Sequence, residues 1–163
     1  MSKKEFYTDL ARDLAALSSG EYNFIATLSN ASALIYERLE DVNWVGFYLV
    51  DGNTLVLAPF QGKLACVRIP VGKGVCGTAF AKNEIQRVAD VHAFVGHIAC
   101  DAASNAEIVL PIEVNGQVIG VLDIDSTVYD RFDKEDENGL KSVVSALSEH
   151  LKECDSTKFV TFA

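Results

Sequence analysis

The sequence predicts one α+β domain in which a mostly antiparallel central sheet is framed by helices at the N- and C-terminal ends. Three observations lead there. Apolar residues recur at helical spacing in the first forty residues and again near the C-terminus. Between them lie alternating, β-branched and aromatic runs joined by short turns that contain glycine. The length of 163 residues is close to one average domain of roughly 150, and no repeat or Pro/Gly/Ser-rich linker divides it, so residues 1–163 are expected to form a single unit.

Taken in order, Phe6, Leu10, Leu14 and Leu17 form one helical stripe, and Phe24, Leu28, Ala31, Ile35 and Leu39 form a second after the Ser18-Ser19-Gly20 break. NWVGFYLV and TLVLAPF flank Asp51-Gly52-Asn53 and read as a hairpin. KLACVRIP reads as a third strand carrying Cys66. VGKGVCGTAFAKN reads as a glycine-broken loop that feeds a short helix ending near Asn83, and EIQRVADV as a short strand. EIVLPIEV and QVIGVLDIDS around Asn115-Gly116 form the strongest hairpin, and Asp133 caps a last helix with Leu140, Val143, Val144, Leu147 and Leu151 on one face.

The register of that last hairpin decides where three acids go. A two-residue loop pairs 114 with 117 and mixes Asp123 and Asp125 with Ile108, Leu110 and Ile112 on one face. A three-residue loop pairs 114 with 118, which collects Ile108, Leu110, Ile112, Val114, Val118, Leu122 and Ile124 on one face and gathers Glu107, Asp123 and Asp125 on the other. The second register is the expected one, although Pro111 lacks a ladder donor and is a candidate bulge site. A merely solvated polar face is the plainer reading of the same acids.

Composition narrows the function classes. Lys and Arg total 14 against 23 Asp and Glu, and the resulting charge of −9 disfavours nucleic acid and anionic membrane as partners. No run approaches the roughly 18 apolar residues of a membrane span, and a cytoplasmic location is expected. The four cysteines form no CxxC pair, so in a reducing compartment they rest as thiols and any disulfide is transient.

Each cysteine has its own context. Cys100, in GHIACDAASN, has the polar neighbours of an accessible nucleophile, whereas Cys154 continues the last helical stripe and reads as buried packing. Cys76 lies at the start of the short helix, where free N–H groups attract a carboxylate or a thiolate. Gly72 to Gly77 matches GxGxxG, but the helix is too short for a dinucleotide crossover and the following strands look antiparallel. A zinc reading through Cys66, Cys76, His97 and Cys100 fits no common spacing, and neither metal nor cofactor is expected. Trp44, Gly46 and Tyr48 share a strand face that suits either core packing or an aromatic wall for a methyl group beside sulfur.

NWVGFY, FQGKLAC, VGKGVCGTA, HIACDAAS, NAEIVLP and GVLDIDS together resemble the GAF domains of the free methionine-(R)-sulfoxide reductase type, over nearly the whole chain. The resemblance implies a GAF-like fold and reduction of free L-methionine-(R)-sulfoxide, with thioredoxin as reductant. It implies that Cys100 is the nucleophile, Cys66 resolves it and Cys76 is an auxiliary thiol. It further implies that Glu107, Asp123 and Asp125 act around the sulfoxide while Trp44, beside Tyr48, contacts the methyl end. Ala106 departs from the expected serine, which puts a hydroxyl contact in doubt.

The chemistry fits that implication. A sulfoxide oxygen leaves only when protonated, and carboxylates crowded within roughly 4–6 Å cannot all ionise, so one keeps a proton near pH 7. A free thiol of pKa about 8.5 is mostly protonated at that pH, and Asp101 beside Cys100 discourages ionisation further. The competing class is a noncatalytic GAF sensor of a small ligand. A homodimer through the N-terminal helices is a further expectation.

Overall fold

Every long helix begins at a side chain that satisfies its first free N–H groups. Ser2 Oγ accepts from Glu5 N at 3.1 Å ahead of α1 (Lys3–Ser18), and Asn23 Oδ1 accepts from Ala26 N at 2.9 Å ahead of α2 (Phe24–Arg38). Asp133 opens α4 (Lys134–Leu151), as expected, through a full capping box with Asp136 in which both bonds are 2.9 Å. Lys3 Nζ reaches back to both carboxylates, at 2.8 Å from Asp133 and 2.9 Å from Asp136.

The Lys3 ammonium, followed by the bond from the Asp136 N–H, holds the Asp133 carboxyl down at about 2. A carboxyl depressed by folding stabilises the fold above its unfolded value and loses that contribution as pH falls through the folded one. Asp133→Ala therefore costs about 1 kcal/mol at pH 7. The gap between variant and parent narrows as pH falls from about 4 toward 2, which urea melts across that range measure.

The structure, a computed structural model, describes residues 1–98, 100 and 102–155. Between the helices run β1 (Trp44–Asp51), β2 (Thr54–Gly62), β3 (Arg68–Pro70), the short helix α3 (Gly74–Lys82), β4 (Gln86–Val88), β5 (Ala106–Val114) and β6 (Gln117–Ser126). They form one six-stranded sheet in the order β3-β2-β1-β6-β5-β4, with antiparallel neighbours throughout. The expected α+β class with a mostly antiparallel sheet holds. Among the described residues, no helix is long and apolar enough to cross a membrane.

The sheet separates two cores. On one face α1, α2 and α4 bury Leu10, Leu14, Leu28, Ile35, Leu140 and Leu147 against Val45, Phe47, Ile108, Leu110, Leu122 and Ile124. Gly139 allows α1 to approach α4, since a Cβ there would overlap the Tyr7 ring. Cys154 is only partly buried against this core, with its sulfur 3.8 Å from Thr27 Oγ1. The other face carries Trp44, Tyr48, Val109 and Val121 and is covered by α3 and the connections around it.

Two local expectations need correction. Cys66 is not in a strand, because β3 starts only at Arg68 and residues 63–67 form an irregular connection. The last hairpin turns on two residues rather than three: Asn115 and Gly116 both take positive φ (51° and 79°), as a primed hairpin turn requires. Val114 accordingly faces Gln117, but Ile112 faces Gly120, so Ile119 is an extra residue in a bulge. The bulge restores the expected register over 106–112, including Glu107 opposite Asp125, and buries Ile119 on the helix side where Val118 was expected. It lies beyond Pro111, which pairs with Val121.

Candidate active site

Strand pairing gathers the site before any loop is considered. Gly46 lies opposite Asp123 and Trp44 opposite Asp125 across β1 and β6, while Glu107 lies opposite Asp125 across β5 and β6. Alternation then puts Trp44, Gly46, Tyr48, Glu107, Asp123 and Asp125 on one face. Gly46 permits the Trp44 indole to lie along the strand, because a Cβ there would strike both that ring and Phe60. The indole stacks on Phe60 and on Tyr48 with ring centres 5.2 and 5.9 Å away. Both Trp44 and Tyr48 are buried in the core on this face and also line the cavity.

α3 lays Cys76 over the acids, with its sulfur 4.0 Å from Glu107 Oε2. The segment before β5 brings His97, Cys100 and Ser104 to the rim, and the whole encloses a cavity of about 40 Å³. Cys66 and Cys100, 34 residues apart, are joined in a disulfide with Cα atoms 5.4 Å apart, while Cys76 is a free, buried thiol. Cys100 lines the cavity. The structure thus brings together the predicted Trp44, Tyr48, Cys76, Cys100, Glu107, Asp123 and Asp125, with Cys66 bonded at the rim.

Burial sets the electrostatics. Burial, reinforced by the charges of Asp123 and Asp125, drives the Glu107 carboxyl well above the ordinary glutamate range. Burial also raises Asp123, but hydrogen bonds from Glu107, Cys76 and Asp125 pull it partly back. Glu107 is therefore the better proton store of the two. Asp123 Oδ1 is buried with no hydrogen-bond partner among the described residues, an acceptor left open to whatever enters the cavity.

The Cys76 thiol is pushed well up by burial and by the Asp123 and Glu107 charges, so the helix start does not hold it as a thiolate. Burial and the Asp123 charge also raise the Tyr48 phenol, which remains a hydrogen-bond donor. Burial lowers His97.

Some residues were not foreseen. Ser104 is buried at the rim and accepts from Asn43 Nδ2 at 3.1 Å, and Ile98 and Val75 complete the wall. Their only signal was proximity in sequence to Cys100 and Cys76. Ala106 packs into the helix-side core, so the hydroxyl of a serine there would lie away from the cavity. Asp101 lies outside the described residues.

The zinc set of Cys66, Cys76, His97 and Cys100 is not assembled, because two of its sulfurs are bonded to each other. Cys76, Glu107 and Asp123 each bring a donor atom within 4.8 Å of the others, one ligand short of a closed tetrahedral site. The GxGxxG match opens a helix of nine residues, and the strands on either side of it, β3 and β4, lie at opposite edges of the sheet. That is not a dinucleotide crossover.

Residues 23–151 match the GAF domain family. The chain is 65% identical over 159 residues to the free methionine-R-sulfoxide reductase of Escherichia coli (strain K12), covering 98% of this chain and 96% of that protein. The structure of free methionine-R-sulfoxide reductase from Neisseria meningitidis in complex with its substrate superposes with a TM-score of 0.89 at 41% identity, covering 94% of this chain and 92% of that one. The substrate complex of the Staphylococcus aureus enzyme superposes at 0.85 with 52% identity, covering 89% and 95%. Matched by the GAF family over residues 23–151 and similar to these relatives over nearly its whole length, the chain belongs to the GAF-domain family of free methionine-R-sulfoxide reductases.

Proposed function

We propose that the protein, acting as one unit over residues 1–163, reduces free L-methionine-(R)-sulfoxide to L-methionine. The observation that carries this reading is the Cys66–Cys100 disulfide beside a cavity lined by the buried Glu107 carboxyl, which burial drives well above the ordinary glutamate range. In the reduced protein Cys100 attacks the sulfoxide sulfur while Glu107 passes its proton toward the oxygen, with Asp123 and Asp125 completing the acid set. Trp44 and Tyr48 offer a polarizable face to the methyl end.

The oxygen stays on Cys100 as sulfenic acid and methionine leaves. Cys66 then condenses with that acid to give the disulfide and water, and a thioredoxin dithiol in the cytoplasm returns both cysteines to thiols. Cys76, buried and held as a thiol, serves the acids as a hydrogen-bond donor and stands second to Cys66 as resolving thiol. Pairing of two copies through α1 and α2 belongs to the same reading, and sedimentation measures it.

The decisive assay offers both sulfoxide epimers, free and in a peptide, with thioredoxin as donor. Consumption of the free R epimer with formation of methionine is expected. Saturable binding without consumption overturns the enzyme in favour of the ligand sensor. Cys66→Ser is expected to release about one methionine per chain and then stall, with thioredoxin-driven turnover down roughly tenfold or more. Unimpaired steady turnover would remove Cys66 from the cycle.

A further inference from the structure

Two hydrogen bonds tie the aromatic wall of the cavity to the connection that carries Cys66. The Tyr48 hydroxyl donates to the Cys66 carbonyl at 2.9 Å, and Trp44 Nε1 donates to the Lys63 carbonyl at 3.1 Å. A backbone bond from Leu57 N to the Val67 carbonyl, at 2.9 Å, closes the far end. Between these pegs the connection has no regular structure, and Leu64 is 90% exposed. Ala65 and Cys66 are only partly buried against the neighbouring core.

We infer that Tyr48 is a positioning residue for disulfide closure: its hydroxyl holds the Cys66 backbone where the Cys66 sulfur meets the oxidised sulfur of Cys100. The inference rests on the proposed reduction for the origin of the sulfenic acid. In the closing step the Cys66 sulfur attacks the sulfenic sulfur, the S–S bond forms and the S–O bond breaks. The hydroxyl departs with the Cys66 proton as water, and no outside oxidant or reductant enters.

Tyr48 is suited to hold rather than follow. It lies in a strand paired on both sides, is 2% exposed, and its ring stacks on Trp44. The tether ends on the carbonyl of Cys66 itself, so it restricts the residue whose sulfur must arrive and lowers the entropy cost of that approach. One neutral hydrogen bond of this kind changes a rate by roughly three- to tenfold.

The test is Tyr48→Phe, which keeps the ring and removes only the hydroxyl. Reduced protein is mixed with methionine sulfoxide without reductant, sulfenic acid on Cys100 is trapped with dimedone, and disulfide is followed by mass. Closure is expected to slow roughly three- to tenfold, and trapped Cys100 per methionine released to rise in step. In a Cys66→Ser background, adding Tyr48→Phe is expected to leave that ratio unchanged.

Closure at the parent rate, or an equal effect without Cys66, overturns the assignment. Hydrogen peroxide as the source of sulfenic acid reads closure even where sulfoxide reduction fails, which separates this inference from the function beneath it. If Tyr48→Phe does not fold, Tyr48→4-fluorophenylalanine, which fills the space of the hydroxyl without its donor, is read in the same way; parent-rate closure there overturns the inference too.

Discussion

Cys100→Ser is expected to abolish methionine formation, with the first-turnover rate down by at least about a thousandfold. A serine hydroxyl is barely ionised at neutral pH and is a far weaker nucleophile toward sulfur. It also cannot carry the cycle onward, because closure needs a sulfur at position 100 to bond with Cys66. The other thiols offer no substitute. Cys76 is held protonated by burial against two acids, Cys66 lies outside the cavity lining, and Cys154 packs on the opposite side of the sheet. Methionine release by chromatography, together with thiol counting by mass before and after sulfoxide, measures the effect. Turnover surviving in this variant assigns the attack to another thiol.

Glu107→Gln carries the second largest expected effect, a fall of roughly 10²- to 10⁴-fold in the single-turnover rate. Glutamine keeps the size and a donor N–H but has no proton to transfer. The parent should lose rate as pH rises through the elevated Glu107 value, since only the protonated acid can assist the departing oxygen. The variant should lack that limb.

Stability should move the other way. A carboxyl whose folded value is raised destabilises the fold as pH climbs above its unfolded value, because the unfolded chain releases the proton first. Glu107→Gln should therefore melt above the parent at neutral pH, and the gap should close in acid. A variant that is both less active and less stable at pH 7 has lost packing rather than a proton donor.

Much of this was legible in the chain. The stripe Phe24, Leu28, Ala31, Ile35 is a local pattern of spacing, and it buries as the pattern demands. The face shared by Glu107, Asp123 and Asp125 follows from strand parity, although the turn has two residues rather than the expected three and a bulge at Ile119 supplies the missing shift. An Asn-Gly pair that reaches positive φ at little cost favours the shorter turn, and the apolar face then determines where the extra residue goes. The run around Cys66 reads as a strand yet forms none before Arg68, because an apolar run says nothing of whether its backbone finds a partner.

The sequence by itself determined the helices, the two hairpins, the shared face of the three acids, the aromatic alternation of Trp44 and Tyr48 and the stock of thiols, because each depends on neighbours a few residues away. Only the tertiary structure decided that Cys66 reaches Cys100, that Cys76 sits over Glu107, and that Tyr48 grips the Cys66 carbonyl. Those contacts span 34, 31 and 18 residues and exist because strand order places β1 beside β6 and lays α3 across the same face. The proton affinity of the acids belongs with them, since desolvation depends on what covers a group and not on which residues stand next to it in the chain.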